Sequence, residues 1–120
     1  MKQLEFSYNW NNKLACDCFT TLRISNRFDV GELVDISLND RHLSLGTVIA
    51  KTAIRMGAIN EFIARLDTGY SAAECKEVLR KMYPGALVKD TDILYLYLVE
   101  KERKEDREKR LYGEQQQLFA

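Results

Sequence analysis

Long apolar runs are missing from this sequence. None approaches the roughly 20 residues that a bilayer-spanning helix needs, and the opening MKQLEFSYNW has a single lysine and no apolar segment of signal-peptide length. The expected address is therefore the cytoplasm. An excess of either charge is missing too: 18 basic residues balance 18 acidic ones, so no overall field draws the chain to a polyanion and any nucleic-acid contact must be local. Cysteine is scarce. Cys16, Cys18 and Cys75 cannot all pair within the chain, and without an export signal they are expected as free thiols. Proline occurs once, hydrophobic residues make up 46% and charged residues 30%, a composition that excludes a disordered chain. At 120 residues the chain has the size of one domain.

What is present reads as an α+β pattern. LEFSY (4–8) alternates apolar and polar residues as a half-buried strand does, and the asparagines of NWNNKLAC suit the cap of a short helix. CFTTLRI (18–24) is rich in β-branched and aromatic residues; SNRFDVG is a turn, ELVDISL (32–38) a strand, and NDRH a hairpin connection. HLSLGTVIAKTAI (42–54) is a long strand in which Gly46 predicts a bulge or bend, as where a sheet curls. The period then changes. Ile59, Phe62, Ile63 and Leu66 recur at helical spacing and predict a buried stripe, while Ser71 and Glu74 form a capping box that opens SAAECKEVLRKMY (71–83), closed by Pro84-Gly85. DILYLYLVE (92–100) is apolar at nearly every position, as a strand inside a sheet should be. KERKEDREKR (101–110) is charged throughout and lacks an apolar stripe, so it should project into solvent as a helix supported by the pairs Glu105–Lys109 and Asp106–Arg110.

Two chemistries compete in CDCFTTLRI. Cys16-Asp17-Cys18 looks like the start of a metal site, but zinc wants four ligands and the remaining candidates are a lone Cys75 and a lone His42. The cysteines therefore read as small core-filling residues, with no metal and no cofactor expected, and His42 as a solvated turn residue. Strand alternation puts Phe19, Thr21 and Arg23 on one face and Cys18, Thr20 and Leu22 on the other. Arg23 and Thr21 together present a charged fork and a hydroxyl to the same space, suited to a carboxylate, a phosphate or a planar base. The plain alternative is a surface arginine paired with a nearby acid.

The order FSYNW, short helix, CFTTLRI, RFDVGELVDI, LSLGTVIAK, two helices and DILYLYLVE resembles the ASCH branch of the PUA-like superfamily, over residues 4–100. The small bacterial amidohydrolases that act on N4-acetylcytidine are similar in Thr21-x-Arg23, in Val30-Gly31-Glu32-Leu33, and in the segment from Tyr70 to Val78 that runs on to Met82-Tyr83-Pro84-Gly85. The resemblance implies a PUA-like curled, mostly antiparallel sheet, a near-barrel with two or three flanking helices, and a cleft for RNA or a modified nucleobase or nucleoside lined by Thr21 and Arg23. Those hydrolases use a lysine, a threonine three residues later and an acid before the second helix. Thr21 takes the place of the threonine and Asp67 lies near that of the acid, while Cys18 stands where the lysine would be. Lys13, on the preceding helix, is a candidate to act in its stead. Cys18 could itself attack only with a cation nearby to lower its pKa.

Tyr8 and Trp10 lie among Asn9, Asn11 and Asn12, and Tyr70 follows Asp67-Thr68-Gly69; rings beside amides are a common way to hold an unpaired base. Trp10 serves equally as a plug for the end of a barrel. The domain is expected over 1–100, with a charged helical extension and polar tail over 101–120. Within that tail Gln115, Leu118 and Phe119 resemble the short peptides with which bacterial proteins dock on the replication sliding clamp. The sequence thus predicts a binder of RNA or a modified nucleobase or nucleoside, with an amidohydrolase of acylated nucleosides and a clamp-docking adaptor as alternatives.

Overall fold

A computed structural model describes the backbone of residues 1–119 and the side chains of residues 1–113. The side chains of 114–120, with the Gln115, Leu118 and Phe119 peptide, lie outside the described residues. Five strands form one mostly antiparallel open sheet: β1 (Lys2–Phe6), β2 (Cys18–Arg23), β3 (Leu33–Leu38), β4 (Arg41–Arg55) and β5 (Ile93–Lys101), in the spatial order β1-β3-β4-β5-β2. Three helices accompany them, α1 (Glu61–Asp67), α2 (Ala72–Met82) and α3 (Lys104–Phe119). Among the described residues no helix is long and apolar enough to cross a membrane.

The strands consecutive at the start of the chain lie at opposite ends of the sheet. β1 pairs in parallel with β3 and β2 antiparallel with β5, so the segment between them must cross from edge to edge. It does so as 3₁₀ turns over Trp10–Ala15, kinked at Asn11 (φ 56°) and Asn12 (φ 51°), left-handed positions that asparagine tolerates better than most residues. Asn9 does not cap the first turn. Its Oδ1 accepts from the Leu14 amide at 3.0 Å instead, and the Asn11 amide donates to the Arg65 carbonyl at 3.2 Å, tying the crossing to α1. The sheet curls until its two edges face one another, for the Arg23 guanidinium on β2 donates to the Glu5 carbonyl on β1 at 2.7 Å.

Core residues fall into two clusters on the two faces of β5. Tyr97 and Val99 pack with Leu4, Phe6, Phe19, Val34, Ile36 and Val48 on one; Leu94 packs with Leu22, Met56, Ile59, Ala64, Cys75 and Leu79 on the other. β4 serves both because a register shift between Val48 and Ala50 leaves Ile49 unpaired against β5, and the extra residue inverts the alternation beyond it. A second shift leaves Leu43 unpaired against β3. The bulges therefore sit at Leu43 and Ile49 and not at Gly46, whose pairing with Val34 and Lys101 is regular. Gly46 answers a different need: a Cβ there would come within 2.8 Å of Ile36 Cδ1 and 3.1 Å of Val99 Cγ1.

The stripe expected on α1 is half buried. Ile59 is buried and Ile63 packs against the core, whereas Phe62 is 74% and Leu66 53% exposed, because the helix turns Ala64 and its polar Asp67 inward, the latter to a buried partner. Asn60 caps α1 by accepting from the Ile63 amide. The Ser71–Glu74 capping box opens α2 as expected, with the serine accepting from the Glu74 amide and donating to its carboxylate. In α3, Arg110 reaches back past its own helix to Glu102 at 2.9 Å.

Candidate functional site

A cavity of about 390 Å³ opens between the facing sheet edges, with the 3₁₀ crossing, the end of α1 and the last turns of α2 as its other walls. Its polar lining includes Lys13, Thr21, Arg23 and Asp67, with Glu5 and Asp40 as further acids, and its apolar lining includes Phe6, Trp10, Met82 and Tyr83. The volume lies in the range of about 300–1,000 Å³ usual for small-molecule sites. Strand alternation positions Thr21 and Arg23 because β2 pairs with β5 without a break, Thr21 opposite Tyr97 and Arg23 opposite Tyr95.

Arg23 is held in place but is not neutralised. Nε donates to Thr21 Oγ1 at 3.0 Å, Nη2 donates to the Glu5 carbonyl, and the guanidinium lies 4.7 Å from the Phe6 ring centre. Among the described residues no carboxylate is bonded to it, although Asp67 and Glu5 act on it through space, which sets aside the alternative of a surface ion pair. Burial pulls its pKa down, partly offset by Tyr83 and Asp67 nearby. A desolvated cation fixed by neutral groups keeps its remaining donors for a ligand.

Lys13 and Asp67 do form a pair, 3.0 Å apart with both side chains almost wholly buried. Burial lowers the Lys13 pKa and the Asp67 carboxylate works against that shift. The same oxygen, Asp67 Oδ1, also accepts from Thr20 Oγ1 at 3.0 Å. Thus Lys13, Asp67 and Thr21 share one cavity as expected, but the hydroxyl on the acid belongs to Thr20, while Thr21 faces Arg23. Adjacent strand residues point to opposite faces, and α1 docks on the face that carries Thr20 and Leu22. Sequence gave no sign of this, since the choice between neighbouring threonines depends on where the helix packs.

The rings form a chain in which only Trp10 lines the cavity. Tyr8 packs edge-on to Trp10 at 4.7 Å between centres and Tyr70 at 5.8 Å on its other side, so both support the tryptophan from outside the cavity. Tyr83 also lines the cavity, although in the sequence it reads only as the end of a helix. The apolar spacing of Val78, Leu79 and Met82 in α2, with Tyr83 next, was the available signal.

The cysteines do not fill the core as a group. Cys75 is buried, but Cys16 and Cys18 are exposed: β2 is an edge strand, and its first turnward residues lie beyond the helices that cover Leu22. The Cys18 sulfur lies 3.9 Å from Glu100, and desolvation with the charges of Glu100 and Asp17 raises its pKa. That environment opposes a thiolate. His42 is exposed and bonded to Asp35, outside the cavity. Compared with known proteins, the chain matches no family model, no curated sequence and no solved structure.

Proposed function

We propose that the chain is a PUA-like domain of the ASCH kind that binds a modified nucleobase, free in a nucleoside or carried on RNA, in the cavity between its sheet edges. The observation that carries this reading is Arg23: a guanidinium partly removed from water, bonded to a threonine and a carbonyl and to no carboxylate among the described residues. Thr21 and the buried Lys13–Asp67 pair add donors and acceptors for the edge of a base, and Trp10 and Tyr83 offer aromatic surface. Because Trp10 is the sole tryptophan and lines the cavity, its fluorescence reports occupancy directly. Titration with cytidine, N4-acetylcytidine and short single-stranded RNAs should quench or shift it. Arg23→Ala should weaken the best of these at least about tenfold, the scale of one charge-assisted contact. Undiminished binding by that variant, or no binding by the wild type, would sink the reading.

A second reading, amide hydrolysis of an acylated nucleoside, is favoured by one specific feature, the carboxylate that meets both a buried lysine and a threonine hydroxyl. A threonine oxygen would attack the acyl carbon, its proton passing to the carboxylate and on to the departing amine as the C–N bond breaks; water would then release the acyl group from the threonine ester. Release of acetate from N4-acetylcytidine is the assay. Turnover abolished in Thr21→Ala but largely kept in Thr20→Ala assigns the attack to Thr21, and the reverse pattern assigns it to Thr20. Absence of turnover in the wild type leaves binding alone.

A further inference from the structure

Behind Arg23 lies a second, smaller cavity of about 160 Å³. Glu5, Arg23 and Tyr83 line both cavities, so the guanidinium and the phenol form a partition between them. Gln3, Ser25 and Arg27 supply the polar remainder of the smaller one. Arg27 lies over the Phe28 ring, 5.0 Å from its centre, and among the described residues it enters no ion pair. One acid that feels its charge, Glu32, is committed elsewhere: it accepts from Lys2 and from the Asp29 amide. Glu5 stands at the rim with its carbonyl, not its carboxylate, bonded to Arg23.

Two guanidiniums thus border one small space, and among the described residues neither is bonded to the carboxylate of Glu5, which also lines it. They are close enough that the Arg27 charge adds to burial in disfavouring protonation of Arg23. Such an arrangement repels itself until an anion enters. A phosphate answers best, because its oxygens can take parallel hydrogen bonds from both guanidinium forks while Ser25, Gln3 and the Tyr83 hydroxyl satisfy the rest.

We propose that the smaller cavity receives a phosphate joined through its sugar to the base in the larger one, so that the ligand is a nucleotide straddling Arg23. The inference rests on the nucleobase reading above and names its substrate class more narrowly. A free nucleoside monophosphate and a nucleotide within RNA both carry this chemistry.

The test compares cytidine, its 5′- and 3′-monophosphates, a short cytidine-containing RNA and inorganic phosphate on the full chain, by Trp10 fluorescence and by the NMR signals of the arginine Nε–H groups. In the wild type a monophosphate should bind roughly tenfold tighter than the nucleoside, as one partly exposed charge-assisted contact implies, and Arg27→Gln should bring that ratio close to one. Inorganic phosphate should move the Nε–H signals of Arg27 and Arg23. A 5′-monophosphate that outbinds the RNA points to the free nucleotide, and the opposite order to a nucleotide within a strand. A monophosphate that binds no better than the nucleoside overturns the inference and leaves the nucleobase reading in place. If phosphate perturbs Arg27 while neither nucleosides nor nucleotides bind, the nucleobase reading falls and the nucleotide with it.

Discussion

Lys13 and Asp67 carry opposite charges into a space that water barely reaches, and removing one partner leaves the other buried without compensation. Lys13→Met and Asp67→Asn should each destabilise the fold by about 3–5 kcal/mol in urea unfolding, and the double replacement Lys13→Met/Asp67→Leu should recover much of the loss. A small effect of either single change would mean that the pair is hydrated. The two residues are 54 positions apart in sequence, and nothing local connects them. In the sequence Lys13 stands out only as a replacement for the residue that Cys18 displaces, and Asp67 only by its place before the second helix. Thr21 and Arg23 were legible for a firmer reason, since strand alternation fixes which residues share a face. The same rule could not say that Thr20, on the other face, would meet the acid, because that depends on the docking of a helix whose Asp67 lies 47 residues further on in the chain.

At the scale of elements, the boundaries of most strands and helices followed from patterning and caps, but the assignment of faces failed wherever a polar contact outweighed hydrophobicity. α1 is the example: its most apolar stripe includes Phe62 and Leu66, yet the helix is anchored by Ile63, Ala64 and Asp67. Phe62→Ser should therefore change stability by less than about 1 kcal/mol, as surface substitutions do, while Ala64→Leu should cost about 1–3 kcal/mol through overpacking; thermal melts of the two variants check which face packs inward. Gly46 makes a similar point for β4. Its signal in the sequence was real, but the cause is the Ile36 side chain lying over it, and Gly46→Ala should cost about 1–3 kcal/mol. Gly85→Ala, where an added Cβ meets nothing within 4 Å, should be tolerated. Equal effects at the two glycines would contradict the packing account.

Across the whole molecule, acid stability depends on carboxylates that tie loops. The Asp92 carboxylate accepts from the Lys89 and Val88 amides, which hold its pKa below 3.8, and the Glu32 carboxylate is lowered from 4.5 by the Asp29 amide and Lys2. Both contributions are fully present above these unfolded-state values and are lost as the pH falls through the lower folded-state ones. Lys13 has the opposite sign: with its folded-state pKa below 10.5, its charged form opposes folding until the pH rises through that lowered value, and the cost fades towards 10.5. Asp92→Asn should lower the melting temperature at neutral pH and flatten its decline in acid; an unchanged acid limb would assign the sensitivity elsewhere. The parallel pairing of β1 with β3, and the return of β5 to β2, also set an order in time. On a ribosome β2 emerges before β5 and has no strand to pair with until residues 93–101 are made, since Cys18 lies opposite Glu100, and such non-local pairings are slow to form. The two strand edges that border the cavity, with Phe6 on β1 and Thr21 and Arg23 on β2, are therefore made before the strand that joins β2 to the sheet, and a nascent chain holds them apart until residues 93–101 emerge.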